Sequence, residues 1–200
     1  MDVKTLSHRE RQAWATREAV MAAARGLFAA RGYTATTIEA ISRESGIPVQ
    51  TIYSSFGNKR AILEEIRAAW IRDADVAESF AEAMELPRLA DRLRLAARWT
   101  RRQFELGHDV IAAYQEAARV DPEAGRVWRM TLDGRRTGYT RLVRSARADL
   151  RDGLSVKRAV DIIVATTLAE AFRTLVLEAG WTADQFEAWL ARSLVRELVG

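Results

Sequence analysis

Residues 46–60 read GIPVQTIYSSFGNKR. Gly46, an apolar residue and Pro48 stand before a short run, VQTIYSSF, and Gly57 then leads into Asn-Lys-Arg. Pro48 cannot continue a helix from its N-terminal side, but its fixed φ suits the first turn of a new one. Ile52 and Phe56 are four apart, which gives that short helix one buried edge. Upstream, TTIEAISRESG places Thr36 and Glu39 at capping-box spacing, so a helix is expected from Thr37, with Ile38 and Ile41 inward and Gly46 as its stop. A longer helix is expected before it, from Thr16 to Arg31, with Val20, Ala24, Leu27 and Phe28 as its stripe and Gly32 as its end. Downstream, Asn58 can cap a helix starting at Lys59.

Two short helices joined by a glycine turn pack at a steep angle. The second then offers its N-terminal residues to solvent, which is the helix-turn-helix arrangement suited to a DNA major groove. Charge is distributed in keeping with that. Residues 1–60 hold nine Lys/Arg against five Asp/Glu, whereas residues 61–200 hold 22 of each. The whole surplus of +4 therefore sits on the first 60 residues, where an anionic partner is expected.

Helical periodicity continues through the rest of the chain. Helix four is expected from Lys59 to about Met84, before Leu86-Pro87. Arg88–Glu105 and His108–Ala118 read as separate helices divided by Gly107. Asp121-Pro122 opens another, with a break near Asp133-Gly134, reaching Arg151. Ser155 opens helix eight, expected to run to Ala179, and Thr182 caps a last helix to Val199. The expected fold is all-α, with about nine helices: an arm and three-helix head over 1–60, and a helical bundle over 61–200.

Several functions are disfavoured. Zero cysteines removes disulfides, thiolate metal sites and cysteine nucleophiles together. His8 and His108 are the only histidines, and no His-x-x-x-His spacing, Gly-rich phosphate loop or nucleophile elbow occurs. No enzyme activity, metal or cofactor is expected. The start, MDVKTLSHRERQAW, lacks the apolar stretch of a secretory signal, and no apolar run reaches bilayer length, so a cytoplasmic address without membrane association is expected.

The stretch Arg17–Ile66 resembles the DNA-binding domain of the TetR family of bacterial transcriptional regulators. The resemblance rests on Val20-Met21, Leu27-Phe28, Gly32-Tyr33, Thr36-Thr37, Ile41-Ser42, Ser45-Gly46-Ile47, Thr51-Ile52-Tyr53 and Phe56-Gly57-Asn58-Lys59 at fixed spacing. Pro48 departs from the capping serine common there. Ser54 and Ser55 replace aromatic or basic residues, and Ser42 and Ser45 replace alanines. The resemblance implies a homodimeric regulator of double-stranded DNA, most often a repressor released from a palindromic operator by a small-molecule effector. The alternative is a helical dimer governed by a protein partner, or one without an effector.

Site roles divide into three groups. For DNA, Gln50 carries the donor–acceptor pair that reads an adenine edge, and Val49 touches a thymine methyl or covers the helix start. Thr51 and Tyr53 resemble the family's backbone contacts, although Tyr53 could instead pack beneath Phe56. Ser54 can hydrogen-bond phosphate. Thr37 and Lys59, each at a helix start, are expected to meet phosphates. HRER at 8–11 reads as a minor-groove arm or a disordered tail. For an effector, Trp99, Gln103, Trp128, Tyr139, Thr166 and Phe172 are candidates by type and position, although such residues taken singly are more often plain core. For dimerisation, the last two helices resemble the family's pairing elements. Ile162, Ala169, Phe172 and Val176 lie on one stripe, with Trp189 and Leu194 on the other.

Overall fold

The computed structural model describes residues 7–200; residues 1–6 of the expected arm lie outside the described residues. Helix α1 spans His8–Arg31, α2 Ile38–Ser45, α3 Val49–Phe56, α4 Lys59–Asp73 and α5 Val76–Glu85. Next come α6 (Leu89–Val120), α7 (Pro122–Arg144), a 3-10 turn (Arg147–Asp149), α8 (Val156–Thr166), α9 (Ala169–Phe172) and α10 (Ala183–Leu198). Among the described residues the only extended pairing is a single bridge, Leu150 to Val199. The fold is all-α.

The chain forms two compact units. The first takes the chain through Ala69 together with Asp109–Trp128; the second is Trp70–His108 with Arg129–Gly200. In the first, Val20, Ala24, Leu27 and Phe28 of α1 are buried with Ile38 and Ile41 of α2 and Ile52 and Phe56 of α3. Late residues tie into this unit by charge. Arg25 forks onto Asp109 at 2.6 and 2.8 Å. Glu116 accepts the backbone N–H groups of Tyr33 and Thr34 at 2.8 and 2.9 Å.

The second unit is built around aromatics and one buried arginine. Trp99 stacks on Tyr139 with ring centres 6.3 Å apart, and Phe172 packs among Phe104, Phe186 and His108. Arg92 is buried and gives its N–H groups to the carbonyls of Leu86, Leu142 and Met84 at 2.7, 3.1 and 3.2 Å. A buried guanidinium is costly unless its donors are satisfied, and these carbonyls satisfy it.

Several boundaries differ from expectation, each for a local reason. Helix α1 starts at His8, eight residues early. Ser7 and Glu10 cap it reciprocally, Ser7 N–H to Glu10 at 2.8 Å and Glu10 N–H to Ser7 Oγ at 3.3 Å. Helix α2 is capped by Thr37 instead of Thr36, whose hydroxyl is buried and donates to the Gly32 carbonyl. Helix four breaks at Ala74-Asp75, where Asp75 adopts φ 50° and Arg102 binds both the Asp73 carbonyl and the Asp75 carboxylate.

The two helices expected on either side of Gly107 are one kinked element. The kink frees the Gln103 carbonyl, which accepts the Trp70 indole N–H at 2.8 Å. Conversely, α7 passes Asp133-Gly134 unbroken. Expected helix eight is interrupted, because Leu168 is extended and the Thr167 carbonyl is taken by the Arg135 guanidinium. After α9 the chain winds one π-helical stretch, Arg173–Glu178.

Candidate nucleic-acid interface

The turn between α2 and α3 is fastened from both sides by the two serines that stand where the family has alanines. Ser42 Oγ donates to the Ile47 carbonyl at 2.7 Å, and Ser45 Oγ accepts the Ile47 N–H at 3.3 Å. Gly46 takes the left-handed conformation at φ 71°, which a residue with Cβ adopts only at a cost. Pro48 precedes α3 at φ −56° without a side-chain cap. The hydroxyls fix the turn, the glycine reverses the chain and the proline restarts the helix.

Helix α3 is thereby held with Ile52 and Phe56 buried and its opposite face open. Gln50, Tyr53 and Ser54 are exposed, while Val49 and Thr51 are half-buried. Tyr53 is 45% exposed, and one face of the Phe56 ring is taken by the Arg17 guanidinium 4.3 Å away. Ser54 donates back to the Thr51 carbonyl at 3.0 Å, leaving oxygen lone pairs outward. Thr37 is exposed at the start of α2, its Oγ1 accepting the Ala40 N–H at 3.2 Å.

Lys59 has another task than the phosphate contact expected of it. Its Nζ donates to the carbonyls of Tyr33 and Thr36, both at 2.7 Å, and reaches that of Thr34 at 3.4 Å, while lying 4.2 Å from the Tyr33 ring centre. All three ammonium hydrogens have a carbonyl to point at, so the charge is turned into the head. Burial lowers the Lys59 pKa, and the Glu116 carboxylate opposes that. The loop between α1 and α2 is thus held by its carbonyls from Lys59 and by its N–H groups from Glu116. A hydrogen bond from the Thr34 side chain, those two N–H bonds and the Lys59 charge hold the Glu116 carboxyl below its ordinary value. Glu116 was missed by sequence reading because nothing local marks it; the partner is 82 residues away.

The effector candidates do not gather into one site. Trp99 and Tyr139 are brought together, and Trp99 also lines a groove of about 300 Å³ with Ser79, Glu78, Glu82, Arg98 and Arg102. Gln103 is half-buried with its carbonyl engaged by Trp70, and Thr166 Oγ1 donates back to Ile162 at 2.6 Å. Phe172 is in the separate Phe104–Phe186 cluster. Trp128 belongs to the first unit and stacks on Tyr114.

The dimer candidates also divide. Phe172 is 2% exposed and Leu194 is fully buried, so both are core residues of the subunit and cannot be its outer contacts. The assumed stripe ran through residues 165–169 as continuous helix. The break at Thr167-Leu168 changes the register and turns Phe172 inward. Ile162, Ala169, Val176 and Trp189 remain half-buried, beside exposed Leu168 and Leu177.

A glycine-turned helix pair with one open face, on the basic end of the chain, defines a helix-turn-helix DNA-binding protein. Residues 20–66 match the model of the bacterial regulatory proteins of the tetR family. The ketosteroid transcriptional regulator KstR2 of Mycobacterium tuberculosis superposes with TM-score 0.74 at 17% identity, covering 92% of this chain and 95% of that one. A putative transcriptional regulator of Saccharomonospora viridis, solved with choline, gives 0.72 at 19%, covering 92% and 97%. NalD of Pseudomonas aeruginosa, the secondary repressor of the MexAB-OprM efflux pump, gives 0.68 at 21%, covering 92% and 95%. At such identities the likeness is one of fold. Comparison with curated protein sequences gives no match. Residues 20–66 thus carry the match to the tetR-family head, and over most of its length the chain shares the fold of these regulators.

Proposed function

We propose that the chain is a homodimeric repressor that binds a palindromic operator and is released by a small-molecule effector. The open face of α3 carries this reading. Gln50, Thr51, Tyr53 and Ser54 stand on a helix whose start is fixed by Gly46, Ser42, Ser45 and Pro48. A monomer holds one such helix, which meets too few base pairs for selective binding. Two related by a dyad, about 34 Å apart, read a palindrome. Thr37 is placed to give its exposed helix start to a phosphate.

Support for an effector comes from fold relatives, one of which was solved with choline and another with triclosan. Trp99, with the groove beside it, is the candidate best placed to meet one. The second reading, a dimer governed by a protein partner or by nothing, draws on the packing of Tyr139 and Phe172, both buried against other aromatics.

Selection of bound sequences from random duplex DNA with the full-length protein tests the first part. A palindromic consensus is expected; recovery of no preferred sequence would overturn it. Native mass spectrometry of the purified protein separates the two readings. Bound small molecule released by mild denaturation favours the first, and a bare dimer favours the second. Among the described residues no helix is long and apolar enough to cross a membrane.

A further inference from the structure

We infer that the first turns of α1, His8–Arg17, form a second DNA-contacting surface, lying on the sugar-phosphate backbone at the C-terminal end of α3. This rests on α3 being the recognition helix, and it concerns residues before the family's matched segment, which begins at residue 20.

Placement is the first argument. Arg17 Nη1 donates to the Ser55 carbonyl at 2.6 Å, its guanidinium lies 4.3 Å from the Phe56 ring centre, and it pairs with Glu65. Ser55 and Phe56 close α3, so the Arg17 side chain anchors α1 at that end, and the exposed turns His8–Thr16 lead up to that anchor. The major groove is about 12 Å wide, and a helix seated in it has its ends beside the phosphate strands that bound it. An element leaving the end of α3 therefore begins beside one strand.

Chemistry is the second. Residues 7–15 are exposed throughout, yet the helix is deliberately begun, with Ser7 and Glu10 capping each other. A helix end that buries nothing of the chain's own is marginal in water, since packing supplies most helical stability. Its side chains are His8, Arg9 and Arg11 against Glu10 alone, and the Glu10 carboxylate is folded back on the Ser7 N–H. Trp14 stands three residues before Arg17, hence on the same face, and is 43% exposed. An indole offers a flat apolar body to deoxyribose and an N–H to phosphate. Positive charge, an exposed indole and the Arg17 anchor on the end of the recognition helix together select duplex DNA as the occupant.

The test uses full-length protein and the operator recovered by selection, prepared as two duplexes. One ends at the last base pair of each half-site; the other carries ten further base pairs of arbitrary sequence on each side. Binding is followed by fluorescence anisotropy across a salt series. The wild type is expected to bind the longer duplex about tenfold tighter, with a salt slope steeper by about two to four for the dimer. Arg9→Ala with Trp14→Ala should bind both duplexes alike, keep wild-type affinity for the short one and keep its base preference. Arg9→Lys should retain the gain. Indifference of the wild type to flank length would overturn the inference, as would persistence of the gain in the double variant. Equal losses on both duplexes would assign the segment to supporting the head, which also rejects it. Recovery of no operator at all would instead refute α3 as the reading helix, and this inference with it.

Discussion

Gln50 is exposed at the second position of α3, beyond a turn held by three separate devices, so its amide carries base reading in the proposed complex. Gln50→Ala should cost about 1–3 kcal/mol on the selected operator and much less on random duplex. Discrimination should relax at one base pair per half-site, while melting and far-UV circular dichroism stay as they are. Equal losses on the two DNAs would move specificity to Val49, Thr51 or DNA shape. Glu116 makes a different kind of prediction. Its pKa is held below the ordinary 4.5 by the Thr34 side chain, the loop N–H groups it accepts and the Lys59 charge. A depressed carboxyl contributes stability that is full above its unfolded value and lost as pH falls through the folded one. Glu116→Gln should therefore destabilise the protein by about 1–3 kcal/mol at pH 7, in line with hydrogen bonds to a charged group. The gap between wild type and variant should narrow below about pH 4.5. A gap that stays constant from pH 7 to pH 3.5 would show that the charge of Glu116 does not hold the loop.

Among elements, α6 shows most clearly how a helix is shaped by something outside its own sequence. A Cβ on Gly107 would lie 2.2 Å from Trp70 Nε1 and 2.3 Å from its Cδ1, atoms of a rigid ring that is itself buried. Gly107→Ala must push that indole away and break its bond to the Gln103 carbonyl. A cost of about 2–4 kcal/mol is expected from overpacking plus one lost hydrogen bond, read as a lower denaturant midpoint. A midpoint unchanged by the substitution would mean that the kink relaxes freely. In the sequence, Gly107 reads as a helix end, because glycine stops helices and nothing local reveals the waiting indole. The same limit explains the other misread boundaries. Asp75 and Leu168 break helices where Arg102 and Arg135, distant in sequence, capture the freed backbone. What was legible depended on neighbours in sequence: the glycine stop at Gly46, the Asn58 cap on Ala61, the Ser155 and Thr182 caps, and the inward Ile52 and Phe56. The open face of α3 was legible for the same reason. Lys59 and Glu116 were not, since their partners are loop backbone groups 23 to 26 and 82 to 83 residues away.

For the molecule as a whole, the proposed dimer must use what the last helices leave outside. Along α10, Phe186, Leu190, Leu194 and Leu198 recur every four residues and are all buried, which turns Trp189, Arg192 and Val195 the other way. Trp189 meets Trp181 edge to face, and grooves of about 530 and 280 Å³ run along this side, one lined by Trp189, Arg192 and Val195, the other by Trp181, Ala188 and Arg192. Leu168 and Leu177, 40% and 51% exposed, are further apolar groups that a monomer leaves in water. Two substitutions separate interface from core. Leu194→Glu places a carboxylate in the subunit interior without a partner, so the protein should unfold or aggregate whatever its oligomeric state. Trp189→Glu puts the same charge on the outer face, where water can solvate it in a monomer but a partner subunit would exclude that water. It should yield a folded monomer with far-UV circular dichroism close to wild type, seen by sedimentation at micromolar concentration. Operator affinity should fall about 100-fold or more, because the second half-site no longer benefits from tethering to the first. A Trp189→Glu protein that sediments as a stable dimer and keeps its operator affinity would remove this face from the proposed assembly.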